Sequence, residues 1–340
     1  MSKKLEYFLL ALGIILLILL TIFLVFRKAK SAQLITNPAD EVLSFPILAK
    51  DAQSIIYFSK KSNSLKNWDL KNNQVGEILA LPFQNTDNID YSSDLSLALI
   101  HWANPENAFD AHTWLLDLNQ KKLLTELSIN ILTTAWSPDS KKIAYHYFDW
   151  DNNINNIAVS NPDGTNFQTI ANIKNEDVSV LWYNNNEIIY YEVPSETAPV
   201  DIFSADVTSK SVKTIASGLL VSNLKILQGQ DKLLLDSAKD ISSEYGLSTY
   251  NLASNSVSSL DTSSSASKSV QIGATNLIYA VKTSSNKRDT LEEIDTNTNN
   301  SKPVSLTIDK TVDQGSLMYN STDGILYFTS SGNLYRAKLK

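Results

Sequence analysis

The chain is 340 residues long, 43% hydrophobic and 19% charged, with 36 acidic against 29 basic residues and a net charge of −7. An acidic chain with no Lys/Arg cluster beyond its N-terminus lacks the basic footprint that neutralising phosphates requires, which argues against nucleic acid as a partner. The absence of cysteine excludes disulfides, thiolate metal sites and cysteine nucleophiles, and 3 His leave little for a His-rich metal site.

After six residues of mixed polarity comes an uncharged apolar run, Tyr7 to Phe26, of 20 residues. As a helix it would be about 30 Å long, the hydrocarbon thickness of a bilayer. It is too long for the apolar core of a cleaved leader, and it ends on Arg27, Lys28 and Lys30. Residues 1–30 therefore read as a single transmembrane anchor that attaches the chain to a membrane. The flanking charges slightly favour a cytoplasmic position for the residues beyond the anchor. Large domains translocate with little regard for such charges, however, so residues 31–340 are expected outside the cytoplasm, in the periplasm or at the cell surface. A cytoplasm-facing scaffold is the alternative.

Past the anchor one pattern recurs: a β-rich run ending in two apolar residues, in SIIYF, LALIH, KIAYH, EIIYY, KLLLD, NLIYA and GILYF. Its aligned positions are Tyr57, Ile100, Tyr145, Tyr190, Leu235, Tyr279 and Tyr327, at intervals of 43 to 48 residues. A second column of Asp or Asn stands at the end of the next strand: Asp69, Asp117, Asn161, Asp206, Asn251 and Asp295. Each unit reads as four short strands without helical periodicity, the arithmetic of a propeller blade. The expectation is an all-β, seven-bladed β-propeller over residues 31–340, preceded by the single N-terminal helix. Ala32–Thr36 (AQLIT) is similar to the fourth strands FQTIA and VKTIA, so it is expected to complete the last blade and remove an open sheet edge. Gly is scarce, at 10 residues, so the turns must draw on Asn, Asp and Ser.

The third unit reads Ala135-Trp136-Ser137-Pro138-Asp139-Ser140-Lys141-Lys142-Ile143-Ala144-Tyr145, then Ile157-Ala158-Val159-Ser160-Asn161-Pro162-Asp163-Gly164. It resembles the WSPDGKKIAF…DG repeat of TolB-type bacterial propellers, which also occurs in propellers attached to prolyl-oligopeptidase-like peptidases. Tyr91-Ser92-Ser93-Asp94 and Tyr319-Asn320-Ser321-Thr322-Asp323-Gly324 match it less closely. That family usually has six blades and an additional α/β domain, for which this chain has no room. The resemblance therefore implies a fold and a bacterial cell-envelope compartment, not the activity of TolB. Pro138-Asp139 and Asp163-Gly164 fit tight turns, and the Tyr column fits packing between blades.

No G-x-S-x-G, H-E-x-x-H or phosphate-cradling loop is present, so no catalytic residue and no cofactor is assigned and the chain is read as a non-enzyme. Oxygen side chains at Asp149, Asp151, Asn153 and Asn155 resemble the start of a calcium loop, without its Gly or its closing Glu. Aromatic residues and all three His collect between the second and third strands of units two to four. The candidate binding residues are His101, Trp102, Phe109, His112, His146, Tyr147, Phe148, Trp150 and Tyr191. Aromatic anchors rimmed by polar groups suit a protein, peptide or glycan ligand of the cell envelope. The competing readings are aromatics that merely cover the blade tops, and a carbohydrate-active or other enzyme working on that face.

Overall fold

The computed structural model describes residues 30–340 apart from 105–106, 176, 193–197, 228, 241–242, 244, 261–266, 273–275, 284–288, 305, 308–310 and 340. Of 30–31, 107–110, 267–270, 272, 282–283 and 306–307 only the backbone is described. The apolar run Tyr7 to Phe26 lies outside the described residues. Among the described residues no helix is long and apolar enough to cross a membrane, and every regular element is a strand.

Two short strands come first, β1 (Lys30–Ser31) and β2 (Gln33–Ile35). The first sheet is an antiparallel meander, β3–β6 (Ser44–Leu48, Ser54–Ser59, Ser64–Asp69, Gln74–Ala80). The second, β7–β10 (Thr86–Tyr91, Leu97–Asn104, Asn107–Asp117, Lys122–Glu126), and the third, β11–β14 (Ile131–Trp136, Ile143–Asp149, Ile154–Ser160, Gln168–Asn172), repeat it. Strands β15–β21 (Val178–Asn184, Glu187–Glu192, Val200–Asp206, Val212–Leu227, Lys232–Ala238, Gly246–Asn251, Ser256–Ser259) form one seven-stranded sheet. The cause is β18, which pairs with β17 as far as Leu219 and with β19 from Leu220. It is thus the last strand of a fourth four-stranded unit and the first of a fifth. Another four-stranded sheet comes next, β22–β25 (Ser267–Ile272, Leu277–Thr283, Asp289–Asp295, Asn300–Pro303), and β26 (Leu306–Thr307) pairs with β1. The last sheet, β27–β29 (Met318–Asn320, Ile325–Ser330, Asn333–Lys338), takes its fourth strand from the other end of the chain. There β2 lies antiparallel to β29, with Gln33, Leu34 and Ile35 opposite Arg336, Tyr335 and Leu334.

Successive units pack face to face. Ile56, Phe58 and Leu65 of the first meet Ile89, Ile100 and Leu116 of the second. Leu99 and Leu115 on the other side of the second meet Ile143 and Tyr145 of the third. The series continues unit by unit until Met318, Tyr327 and Leu334 of the last sheet pack on Ile55, Tyr57 and Trp68 of the first. A buried side chain of this size stabilises by about 1.5–3 kcal/mol, and each cluster holds several. Inter-sheet hydrogen bonds are few and net about 1 kcal/mol each, so apolar burial holds the sheets together and the hydrogen bonds set their register. The register bonds recur: Trp136 Nε1 donates to the Asp90 carbonyl (2.9 Å) and Trp182 Nε1 to the Ala135 carbonyl (3.0 Å). Likewise the Asp94 N–H donates to Ser140 Oγ (3.0 Å), and the Asp139 N–H to Asn185 Oδ1 (3.1 Å).

Five of the six members of the second sequence column form Asx turns; at Asn161 the acceptor is instead Asp163, which takes the Thr165 N–H. Oδ1 of Asp69, Asp117, Asp206, Asn251 and Asp295 accepts from the backbone N–H two and three residues on, at 2.6–3.1 Å. Four residues after each stands a left-handed non-glycine: Asn73, Lys121, Lys210, Asn255 and Asn299. Each turn therefore needs no glycine. The first column is buried throughout but changes face. From Tyr57 to Leu235 it points toward the preceding unit, whereas Tyr279 and Tyr327 point toward the next one. Ile278, and Leu326 with Phe328, take the equivalent places. A shift of one residue in a strand turns its side chain to the opposite face.

Candidate functional site

The stretch from His101 to His112, which the sequence suggests is a loop, is a β-hairpin. Pairing continues through His101↔Thr113, Trp102↔His112 and Ala103↔Ala111 to Asn104↔Asn107. The same holds for His146–Asp149 against Ile154–Ile157, and Tyr191 lies within β16 opposite Ile202. In strands, neighbouring side chains point to opposite faces, and this separates the candidate residues. His101 is on the side of the second sheet that meets the third. Trp102 and His112 are on the side toward the first, where Trp102 lies 4.5 Å from His112 and 6.1 Å from Phe83. Tyr147 faces the second sheet. His146 is buried, and its Nε2 hydrogen-bonds Asn155 Oδ1 (2.8 Å). Tyr191 is 4% exposed, in the core between the fourth and fifth units. Phe148 packs edge-on against Trp150 at 4.5 Å, and Trp150 is 64% exposed. The Phe109 side chain lies outside the described residues.

The acidic turn is another Asx turn. Asp149 accepts from the Asn152 backbone (3.1 Å) and side chain (2.9 Å), while Asn153 sits at φ 52°. Asn155 is engaged with His146 and the Asn175 carbonyl, so its oxygen does not converge with that of Asp149. Asp151 is exposed. Among the described residues no group of three or more His, Asp or Glu could hold a metal ion.

His101 joins a polar cluster between the second and third sheets. Its Nε2 lies 3.0 Å from Asp90 Oδ2, its Nδ1 lies 3.0 Å from Thr113 Oγ1, and the Thr134 hydroxyl donates to Asp90 at 2.7 Å. Burial alone would raise the Asp90 carboxyl, but the hydrogen bond and charge of His101 outweigh it and hold Asp90 below its ordinary value. The carboxylate takes both the Nε2–H and the Thr134 proton. With the Nε2–H given to Asp90, Nδ1 accepts from the Thr113 hydroxyl; Thr113 is only 3% exposed, so the array closes on itself as a buried clamp.

The better-formed concavity is a cleft of about 520 Å³ between the second and third sheets. Tyr145 and Tyr147 of β12 and Ile154 and Asn156 of β13 line it, because their alternation puts all four on the side toward the second sheet. Phe167, just before β14, closes one wall at 5.4 Å from Tyr147 and 6.3 Å from Tyr145, and is 47% exposed. Asn156 is 3% exposed, and its Oδ1 has no hydrogen-bond partner among the described residues. An unmet buried acceptor costs about 1–3 kcal/mol, so a donor arriving in the cleft would recover that cost. Glu126, hydrogen-bonded to His112, and Asp163 also line it. Asp163 is held below its ordinary value by the hydroxyl and N–H of Thr165, with burial opposing. Of the residues the sequence marked, Tyr147 lines this cleft. Tyr145 read as a core column and Phe167 as part of a strand. The signal that could have found them was the Tyr145–Tyr147 alternation beside an aromatic at the start of β14. A second, more polar cleft of about 470 Å³ between the first and second sheets is lined by Phe45, Asn63 and Thr86.

No family model matches the chain, and no curated protein does. Solved structures match in fold. A prolyl endopeptidase superposes with a TM-score of 0.64 at 12% identity over 88% of this chain, which spans only 50% of that protein. The Cps50 (Swd1) β-propeller domain of Myceliophteria thermophila gives a TM-score of 0.61 at 10% identity, covering 91% of this chain and 99% of its own. The β-propeller domain of the Trilobed protease from Pyrococcus furiosus, described as having an open velcro topology, gives 0.57 at 16%, covering 88% and 94%. At such identities the likeness is one of fold, and it identifies this chain as an all-β propeller.

Proposed function

We propose that the chain is a bacterial propeller of seven blades, anchored by residues 1–30, that serves as a binding platform for a protein, peptide or glycan of the cell envelope. The TolB-like repeat of its third blade supports the compartment. The blade count is supported by the apolar clusters, which run from unit to unit and return to the first. Three features support an outward-facing platform. A 20-residue apolar run precedes a large domain. The chain enters β2 opposite Arg336 and leaves it opposite Leu334, next to the β28–β29 turn. An anchor ahead of β2 would then leave the exposed Trp150 hairpin on the side away from the membrane. The observation that carries the binding reading is the aromatic cleft with the unmet acceptor of Asn156. Among the described residues the enzyme alternative has the Asp90–His101–Thr113 array, whose hydroxyl is buried.

The test is site-specific photocrosslinking in intact cells. A crosslinking residue at Phe167 or Trp150 should yield discrete adducts, and one at the exposed Val257 of β21 should not. Protease added outside the cells should cut the propeller. Equal crosslinking at all three positions, or none, would remove the platform reading. Protection from protease until lysis would reverse the topology.

A further inference from the structure

We infer that the cleft between the second and third sheets is a receptor for a basic side chain, lysine or arginine, presented by a protein partner. The inference rests on the platform reading and adds the chemistry of the ligand.

Sign is the first argument. The ionisable groups lining the cleft include Asp163 and Glu126, the latter paired with His112, which stands outside the lining; among the described residues no Lys, Arg or His lines it. Asp163 takes two hydrogen bonds from Thr165 and stays ionised. A carboxylate or phosphate ligand would meet like charge. The chain as a whole carries −7, which steers cations toward it.

The unmet acceptor is the second argument. Oδ1 of Asn156 has no donor among the described residues, and ammonium and guanidinium groups are donors only. A neutral peptide group or a sugar hydroxyl would bring an acceptor for every donor, and that acceptor would stand beside the carboxylates of Glu126 and Asp163. The walls are the third argument. The exposed Phe167 lies 5.4 Å from Tyr147 and 6.3 Å from Tyr145, and aromatic faces attract cations. Ile154 and Ile131 supply apolar surface for the long methylene stem of such a side chain. At about 520 Å³ the cleft can hold that side chain and part of its backbone.

The experiment is saturation-transfer NMR on the full chain in lipid nanodiscs. Four probes differ only in their side chain: the acetyl, N-methylamide derivatives of lysine, arginine, norleucine and glutamate. The lysine and arginine probes should receive saturation and bind at least fivefold tighter than norleucine. Phe167→Leu and Glu126→Gln, both at exposed positions, should each weaken them at least threefold. Equal binding of norleucine, or tighter binding of the glutamate probe, would overturn the cation assignment while the cleft remained a binding site. Silence of all four probes also overturns it. Crosslinked adducts at Phe167 would then preserve the platform reading, and their absence would end both.

Discussion

Lys66→Met should be the most damaging single change outside the apolar core. Lys66 Nζ lies 2.6 Å from Glu41 Oε1, and the two side chains are only 13% and 5% exposed. Tyr57 donates to Glu41 Oε2 at 3.0 Å, and Asn37 Nδ2 donates to Tyr57 and to the Glu41 carbonyl. The network pins residues 37–41, the link from β2 to β3, onto the first sheet. Removing the cation leaves a buried carboxylate with one strong donor, which costs about 3–5 kcal/mol. Unfolding entropy of about 2.1 cal/mol/K per residue gives a chain of this length roughly 1.5 °C per kcal/mol, so Tm should fall by about 4–8 °C. The double variant Glu41→Gln/Lys66→Met should recover most of the loss, because no charge is then stranded. Burial alone would raise the Glu41 carboxyl, but the bonds from Lys66 and Tyr57 outweigh it and leave it below its ordinary 4.5. A carboxylate depressed in the fold stabilises above its unfolded pKa of about 4.3 and loses that contribution as pH falls through the folded value. Wild type and Lys66→Met should therefore converge below about pH 4. The assay is thermal melting by circular dichroism from pH 7 to pH 3. A loss under about 1 kcal/mol at pH 7, or a double variant no better than the single, would refute the reasoning.

Three further outcomes are expected. Thr86 is buried and its Oγ1 has no partner among the described residues, so Thr86→Val should leave stability unchanged or raise it in a denaturant titration, and a clear loss would reveal a bond to that hydroxyl. Gly332 sits at φ +70°, where an added Cβ would run into Val42, and its carbonyl accepts from the Leu43 N–H at 2.9 Å. Gly332→Ala should cost about 2–4 kcal/mol and speed hydrogen exchange in β2 and β29, which a normal exchange pattern would contradict. Burial raises the Asp94 carboxyl, but hydrogen bonds from Ser96 and Ser92 outweigh it and bring the value to about 2. Its contribution is present above about pH 4 and lost as pH falls toward 2, so Asp94→Ala should flatten the pH dependence of Tm in that range.

The repeat was legible because its signals are local. An Asx turn joins a side chain to backbone two and three residues on, so the column from Asp69 to Asp295 records its own geometry. The period of the two columns likewise gives four strands per unit, and β propensity with turn chemistry needs no long-range contact to be read. Three things depended on tertiary structure. The Tyr column changes face at Tyr279, because a one-residue offset leaves composition alike and reverses the direction of every side chain. The aromatic stretch around His101 and Trp102 reads as a loop, yet pairing with β9 extends it as a hairpin and sends adjacent residues to different sheets. The cleft is not contiguous in sequence: Glu126, Tyr147 and Phe167 meet there because two sheets pack. The unmet acceptor of Asn156 is a property of its surroundings, and only the packed structure determines those.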